Sequence, residues 1–175
     1  MTLKNLILLG IVLFVAPDCF SQASKENGIH WMSFSEAVKQ NEKNPKKIFV
    51  DVYARWCSNC KRMDNTTFND SSLTAYLNSH YYPVKLDAET RDSIPFQGQV
   101  FVYNPVLKVN ELAEQLIGSN KSYPNFAFLD EKLSLITNIL GYQSADEFKP
   151  ILVYFSEDKY KTQTWDEFQK AGSSK

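Results

Sequence analysis

Cysteine and histidine are scarce in this chain, with three cysteines and two histidines in 175 residues. His30 and His80 lack ligand spacing, and no second cysteine pair accompanies the one Cys-x-x-Cys, which argues against a zinc site or any other bound metal. No cofactor is implied. An excess of one charge is also missing: 19 Lys and Arg stand against 20 Asp and Glu. A chain so balanced has no electrostatic footprint for nucleic acid or for an anionic membrane surface. Internal repeats and low-complexity linkers are absent, and the longest apolar run, Leu6 to Ala16, is too short to be a comfortable membrane span.

That run has the form of a leader. Lys4 supplies a positive n-region, Leu6 to Ala16 the apolar region, and Ser21-Gln22-Ala23 a small-x-small cleavage signal. The expectation is a signal peptide over residues 1–23, removed after Ala23, and one domain over residues 24–175. Lipidation at Cys19 and a retained membrane anchor are the alternatives. Pro17 and Asp18 make a poor approach to a lipid-modified cysteine. Cleavage leaves Cys57 and Cys60 as the only cysteines of an exported protein, in a compartment such as a periplasm where disulfides persist. The remaining chain, about 150 residues, is long enough for a core without disulfide staples.

What is present centres on Asp51-Val52-Tyr53-Ala54-Arg55-Trp56-Cys57-Ser58-Asn59-Cys60-Lys61. An apolar, β-prone run from Ile48 to Tyr53 leads into the Cys-x-x-Cys pair, and a helix-compatible segment follows. A dithiol is thereby placed at a strand end and a helix start, where unpaired N–H groups and the helix dipole favour a thiolate. A thiolate is the species that attacks disulfides, so the stretch reads as a thiol–disulfide exchange site.

Helix and strand signals alternate along the rest. Ser33…Glu36, Ser144…Glu147 and Thr164…Glu167 each place a hydroxyl three residues before a glutamate, predicting capping boxes and helices that start near residues 34, 145 and 165. Asn69 or Asp70 is predicted to cap a helix carrying Leu73, Tyr76 and Leu77, and a short helix from Asn110 to Ile117 is predicted to stop at Gly118. Pro150 predicts a kink in the helix that begins near 145. Strands are predicted over Lys47 to Tyr53, Tyr82 to Leu86, Asn125 to Leu129 and Leu135 to Leu140, the last two joined by a turn at Asp130-Glu131-Lys132. Pro83 implies that its strand lies at a sheet edge or begins there. Two β-prone runs around Gln97 to Gln99 suggest a small hairpin between Ile94 and Tyr103.

Asp51 to Cys60, Tyr123-Pro124 before an apolar strand, and the β-α-β-α-β-β-α order together resemble the thioredoxin-like superfamily, in particular exported thioredoxin-like proteins akin to the C-terminal domain of the transmembrane thiol reductase DsbD. The resemblance spans roughly Trp31 to Tyr160. It implies an α/β thioredoxin fold, a central mixed sheet flanked by helices, with an insertion of hairpin plus short helix before the cis-proline. It also implies roles. Cys57 matches the exposed nucleophile, Cys60 the resolving cysteine, Asp51 the buried carboxylate beneath the pair, and Pro124 the cis-proline facing the disulfide. Trp56 matches the tryptophan that shields one side of the site, and Trp56, Tyr123 and Pro124 are the implied substrate-binding residues. Two positions depart from the family pattern: Ser58-Asn59 stands in place of Gly-Pro, and Tyr123 replaces a smaller residue.

In the implied mechanism Cys57 attacks a partner disulfide and Cys60 resolves the mixed disulfide after losing a proton, for which Asp51 with a raised pKa is a suitable acceptor. The expected activity is reduction of disulfides in exported proteins, or electron relay, with a separate membrane or soluble electron donor. An oxidase or isomerase using the same site is one alternative, and a redox-silent binding module on the same fold is another. At the level of single features, the cysteine pair also reads as a structural disulfide, Asp51 as a satisfied strand residue, and the insertion around residues 91–120 as either a partner-recognition surface or a lid over apolar surface.

Overall fold

The structure is a computed structural model that describes residues 28–118 and 121–173. The expected leader, its cleavage site and Cys19 lie outside the described residues.

The run Ile48-Phe49-Val50-Asp51-Val52-Tyr53 forms β1 (Ile48–Tyr53), with every residue buried except Tyr53, which is half-buried. It is a central strand, pairing in parallel with β2 (Tyr82–Asp87) and antiparallel with β7 (Asn125–Leu129), so both faces are covered. The sheet order is β2-β1-β7-β8, with β8 spanning Leu135–Leu140. Period-two alternation divides β1. Ile48, Val50 and Val52 enter one core cluster, and Phe49 enters the other. Asp51, two residues after Phe49, therefore belongs to Phe49's face.

That second face is built mainly from rings. Phe49 lies within about 6.5 Å, centroid to centroid, of Phe68, Tyr81, Phe126, Phe128 and Phe148. It is closed by α2 (Ser58–Asn65), α3 (Ser71–His80) and α5 (Ala145–Ser156), which contribute Met63, Leu77 and Leu152 respectively. The opposite face carries α1 (Phe34–Lys43) and α4 (Glu111–Ile117). A last helix, α6 (Trp165–Ser173), lays Trp165 and Phe168 on Tyr154 of α5. Among the described residues no helix is long and apolar enough to cross a membrane.

The local signals account for the element ends. Ser33 and Ser144 form the two-way capping boxes expected of them, Thr164 and Glu167 exchange the same bonds, and Asp70 caps α3 through Leu73 N at 2.8 Å. The helix expected from Asn110 is α4, which takes Asn110 as its cap and ends at Gly118, whose φ of 73° only glycine takes readily. Pro150 lies inside α5, which continues through it to Ser156. Pro83 stands on terminal strand β2. Its neighbours on the outer edge, Pro83 O and Lys85 N, bond to Met32, so the missing N–H of Pro83 faces the edge and costs no ladder bond.

Between β2 and α4 the expected hairpin is present as β3 (Ile94–Phe96) and β4 (Gln99–Phe101), turned at Gln97 and Gly98 with φ of 49° and 78°. Its apolar residues Ile94, Phe96 and Phe101 are buried on the α1 side, where Phe34 meets Phe96 edge-on at 4.9 Å. This burial is what a cover over apolar surface requires. A second ribbon, β5 (Tyr103–Asn104) with β6 (Val109–Asn110), was not anticipated; two residues per strand leave no periodicity to read.

Candidate functional site

The site begins where β1 ends. Cys57 N donates to Ala54 O at 3.0 Å, closing a turn that sets Cys57 as the N-cap of α2, and Cys57 Sγ accepts from Cys60 N at 3.0 Å. A sulfur in that position faces the unpaired N–H end of a helix, which stabilises a thiolate on it. The two cysteines are joined as a disulfide with Cα atoms 5.3 Å apart. Both are nearly buried, and with Ala54 they form a small cluster against which Tyr53 and Tyr123 pack.

The Tyr123–Pro124 peptide bond is cis. Pro124 O accepts Gly141 N at 2.9 Å, tying the start of β7 to the end of β8. Tyr123 meets the ring of Trp56 edge-on at 5.7 Å. Trp56 itself is 63 % exposed, so its ring is an open wall beside the disulfide instead of a covered core residue. The structure thus brings Cys57, Cys60, Trp56 and Tyr123 into one constellation, with Pro124 next to Tyr123.

Asp51 is the one buried acidic side chain among the described residues. Its Oδ2 is 3.1 Å from Lys85 Nζ, and its Oδ1 is buried with no hydrogen-bond partner. Burial pushes the carboxyl up from its ordinary 3.8 to about 6, with the Lys85 ammonium pulling against that rise and Asp64 adding to it. Lys85 is in turn paired with Asp64, one helical turn beyond Cys60 on α2. Burial alone would lower the pKa of Lys85, but the two carboxylates outweigh it and hold the group above its ordinary value. The ammonium also lies over the rings of Trp31, Tyr53 and Phe68 at 5.0, 5.3 and 5.6 Å. A carboxylate with one orphan oxygen in an apolar setting is a group that takes up a proton readily.

Sequence reasoning missed four residues around the site. Lys85 reaches Asp51 because β1 and β2 pair Asp51 with Lys85, a register that no local pattern reports. Asp64 was accessible to inspection, since it stands four residues after Cys60 on a helix and so shares a face with it. Asp87 and Glu89 gave no signal. Asp87 holds Arg55 Nε at 2.7 Å, and Glu89 Oε1 accepts the indole N–H of Trp56 at 3.0 Å.

A sheet ordered β2-β1-β7-β8, a dithiol at the head of the helix after its central strand, and a cis-proline opening the next strand define a thioredoxin fold. The family model for the thioredoxin-like domain matches residues 34–156, and the chain belongs to that family. Among curated proteins it is 30 % identical over 61 residues to the thiol:disulfide interchange protein DsbD of Campylobacter jejuni, covering 35 % of this chain and 11 % of that one. The chain spans between 11 % and 57 % of the length of these curated relatives. Among solved structures, a thioredoxin-fold protein from Helicobacter pylori superposes with a TM-score of 0.57 at 20 % identity, covering 75 % of this chain and 82 % of that one. A DsbH oxidoreductase superposes with a TM-score of 0.52 at 14 % identity, covering 87 % and 94 %. The family and the Cys57–Cys60 disulfide together support a thiol–disulfide oxidoreductase in the general sense.

Proposed function

We propose that the protein is a thiol–disulfide oxidoreductase of the cell envelope that reduces disulfides of exported proteins, or relays electrons to them, through Cys57 and Cys60. The observation that carries this reading is the Cys57–Cys60 pair at the N-terminus of α2, directly after the strand that carries the buried Asp51 carboxyl, itself pushed up to about 6. Export rests on the leader-like residues 1–23 and on the likeness to part of DsbD.

In the working direction the Cys57 thiolate attacks one sulfur of a partner disulfide. A Cys57–partner bond forms, the partner's S–S bond breaks, and its second sulfur leaves as a thiolate that takes a proton. Cys60 then gives its proton to Asp51, directly or through water, and its thiolate attacks Cys57 Sγ. The intramolecular disulfide closes and the partner leaves with both sulfurs reduced, two electrons having passed from the dithiol. With a pKa near 6, Asp51 is largely ionised at neutral pH and so able to accept that proton. Trp56, which precedes the nucleophile, Tyr123, which packs on the cysteine cluster, and Pro124, which follows Tyr123 across the cis bond, are assigned to partner contact. A separate donor must re-reduce Cys57–Cys60.

The test is the reduction potential of the pair, measured by equilibration with thiol buffers of defined ratio. A value near about −270 mV, thioredoxin's own, supports a reductase, whereas one near about −120 mV passes the reading to an oxidase. Exchange that fails altogether with model disulfides leaves only a binding role for the fold.

A further inference from the structure

We propose that Asn110 is a positioning residue for Trp56, acting through the loop that follows β2. Asn110 is fully buried, although it sits in the insertion and far from the cysteines in sequence. Its backbone N–H donates to Ala88 O at 2.7 Å, and its Nδ2 donates to Thr90 O at 3.3 Å and Asp92 O at 3.1 Å. Its Oδ1 accepts Leu112 N at 3.0 Å and so starts α4. Two side-chain donors and one acceptor are used at once, a set that asparagine supplies and that serine, aspartate or alanine cannot.

The loop clamped in this way is the one that holds the two residues before the nucleophile. Glu89 Oε1 takes the indole N–H of Trp56, Glu89 N donates to Asp87 Oδ1 at 3.0 Å, and Asp87 Oδ2 takes Arg55 Nε. Ala88 N also donates to Tyr53 O at 2.8 Å, so the loop is stitched to the end of β1. Trp56 is mostly exposed, and apart from the edge-on contact with Tyr123 its ring has little packing to fix it. An exposed indole with few packing contacts takes its orientation from its hydrogen bond, and that bond is only as well placed as the loop bearing Glu89. The insertion thereby sets the wall beside Cys57 without touching the disulfide.

The inference rests on the site reading only in taking Cys57 as the group that Trp56 screens; the direction of electron flow does not enter. Two readouts test it in the reduced full chain. One is the limiting high-pH rate of Cys57 alkylation by iodoacetamide, followed on the Cys57 peptide by mass spectrometry. The other is exchange of the Trp56 indole N–H, assigned with Trp56→Phe. Asn110→Ser and Glu89→Ala are each expected to raise the alkylation rate about two- to tenfold, the range one lost hydrogen bond supplies, and to speed indole exchange. The double variant is expected to exceed neither single variant, since both act through one contact. Glu89→Gln keeps an acceptor and should behave as the parent. If Asn110→Ser does not fold, Asn110→Asp retains the helix cap, loses both donors and carries the same expectation. A variant that loses stability while the alkylation rate and indole exchange stay at parent values overturns the proposal, as does additivity in the double variant. Neither readout depends on a partner, so a protein inactive in disulfide exchange would still report on Asn110.

Discussion

Replacing Asp51 by asparagine should stabilise the oxidised protein at neutral and alkaline pH. In the folded chain the carboxyl holds its proton up to about pH 6, against an ordinary value of 3.8. The native state therefore binds more protons than the unfolded state between those values, and its stability falls as pH rises through that window. The stabilisation from the raised pKa is fully present below about pH 4 and lost above about pH 6. A difference of that size is worth ~3 kcal/mol. Asparagine removes the cost of that buried charge, and the attraction of Lys85 is already contained in the raised value, since Lys85 pulls against the rise. A net gain of about 3 kcal/mol near pH 8 follows, seen as an upward shift of the urea midpoint by about 1–3 M. The assay is urea unfolding of the oxidised parent and variant across about pH 4 to 8. The gap should be near zero at the acid end and open through the middle of the range. A gap of constant size, or a variant that unfolds at lower urea near pH 8, refutes the assignment of Asp51 as a carboxylate ionised against its environment.

Other outcomes follow from the same geometry. Cys57→Ser should abolish disulfide exchange, whereas Cys60→Ser should still attack and accumulate a mixed disulfide visible on non-reducing gels. Lys85→Met removes the cation that holds the Asp51 carboxyl down, so the acid limb of the pH–rate profile should move to higher pH by about one unit or more, read from turnover of a model disulfide. Phe49→Ala empties the centre of the ring cluster and should cost about 3–5 kcal/mol in urea unfolding, with no change in the Cys57 alkylation profile if the protein still folds. Ser144→Ala breaks one capping box and should cost about 1 kcal/mol in the same assay.

The parts of this molecule that were legible from sequence are those decided within a few residues. A hydroxyl three places before a glutamate fixes a helix start, and α1, α5 and α6 begin where those pairs stand. A nearly continuous apolar run names a strand covered on both faces, and β1 is central. The Cys-x-x-Cys pair is local in the same sense. The electrostatic setting of the site is not, because Lys85 meets Asp51 through strand register and Glu89 meets Trp56 through the path of a loop. Asp64 shows the intermediate case: helix spacing places it on the face of Cys60, but nothing short of the fold brings a lysine to it. Asn110 was readable as a helix start and nothing more, since its side-chain N–H groups go to carbonyls 18 and 20 residues away.

The hydrogen bond from Asn110 N to Ala88 O makes the stretch between them a closed detour. The chain leaves the common frame and re-enters it at one point. Changing the length of that excursion costs little, because the entropy of closing such a loop grows only with the logarithm of its length. The tip at Gln97 and Gly98 is consequently where residues can be added, while Ile94, Phe96 and Phe101 stay anchored on the α1 side and the cysteines and the cis-proline keep their spacing. A fold arranged in this way can vary its outline without rebuilding its centre.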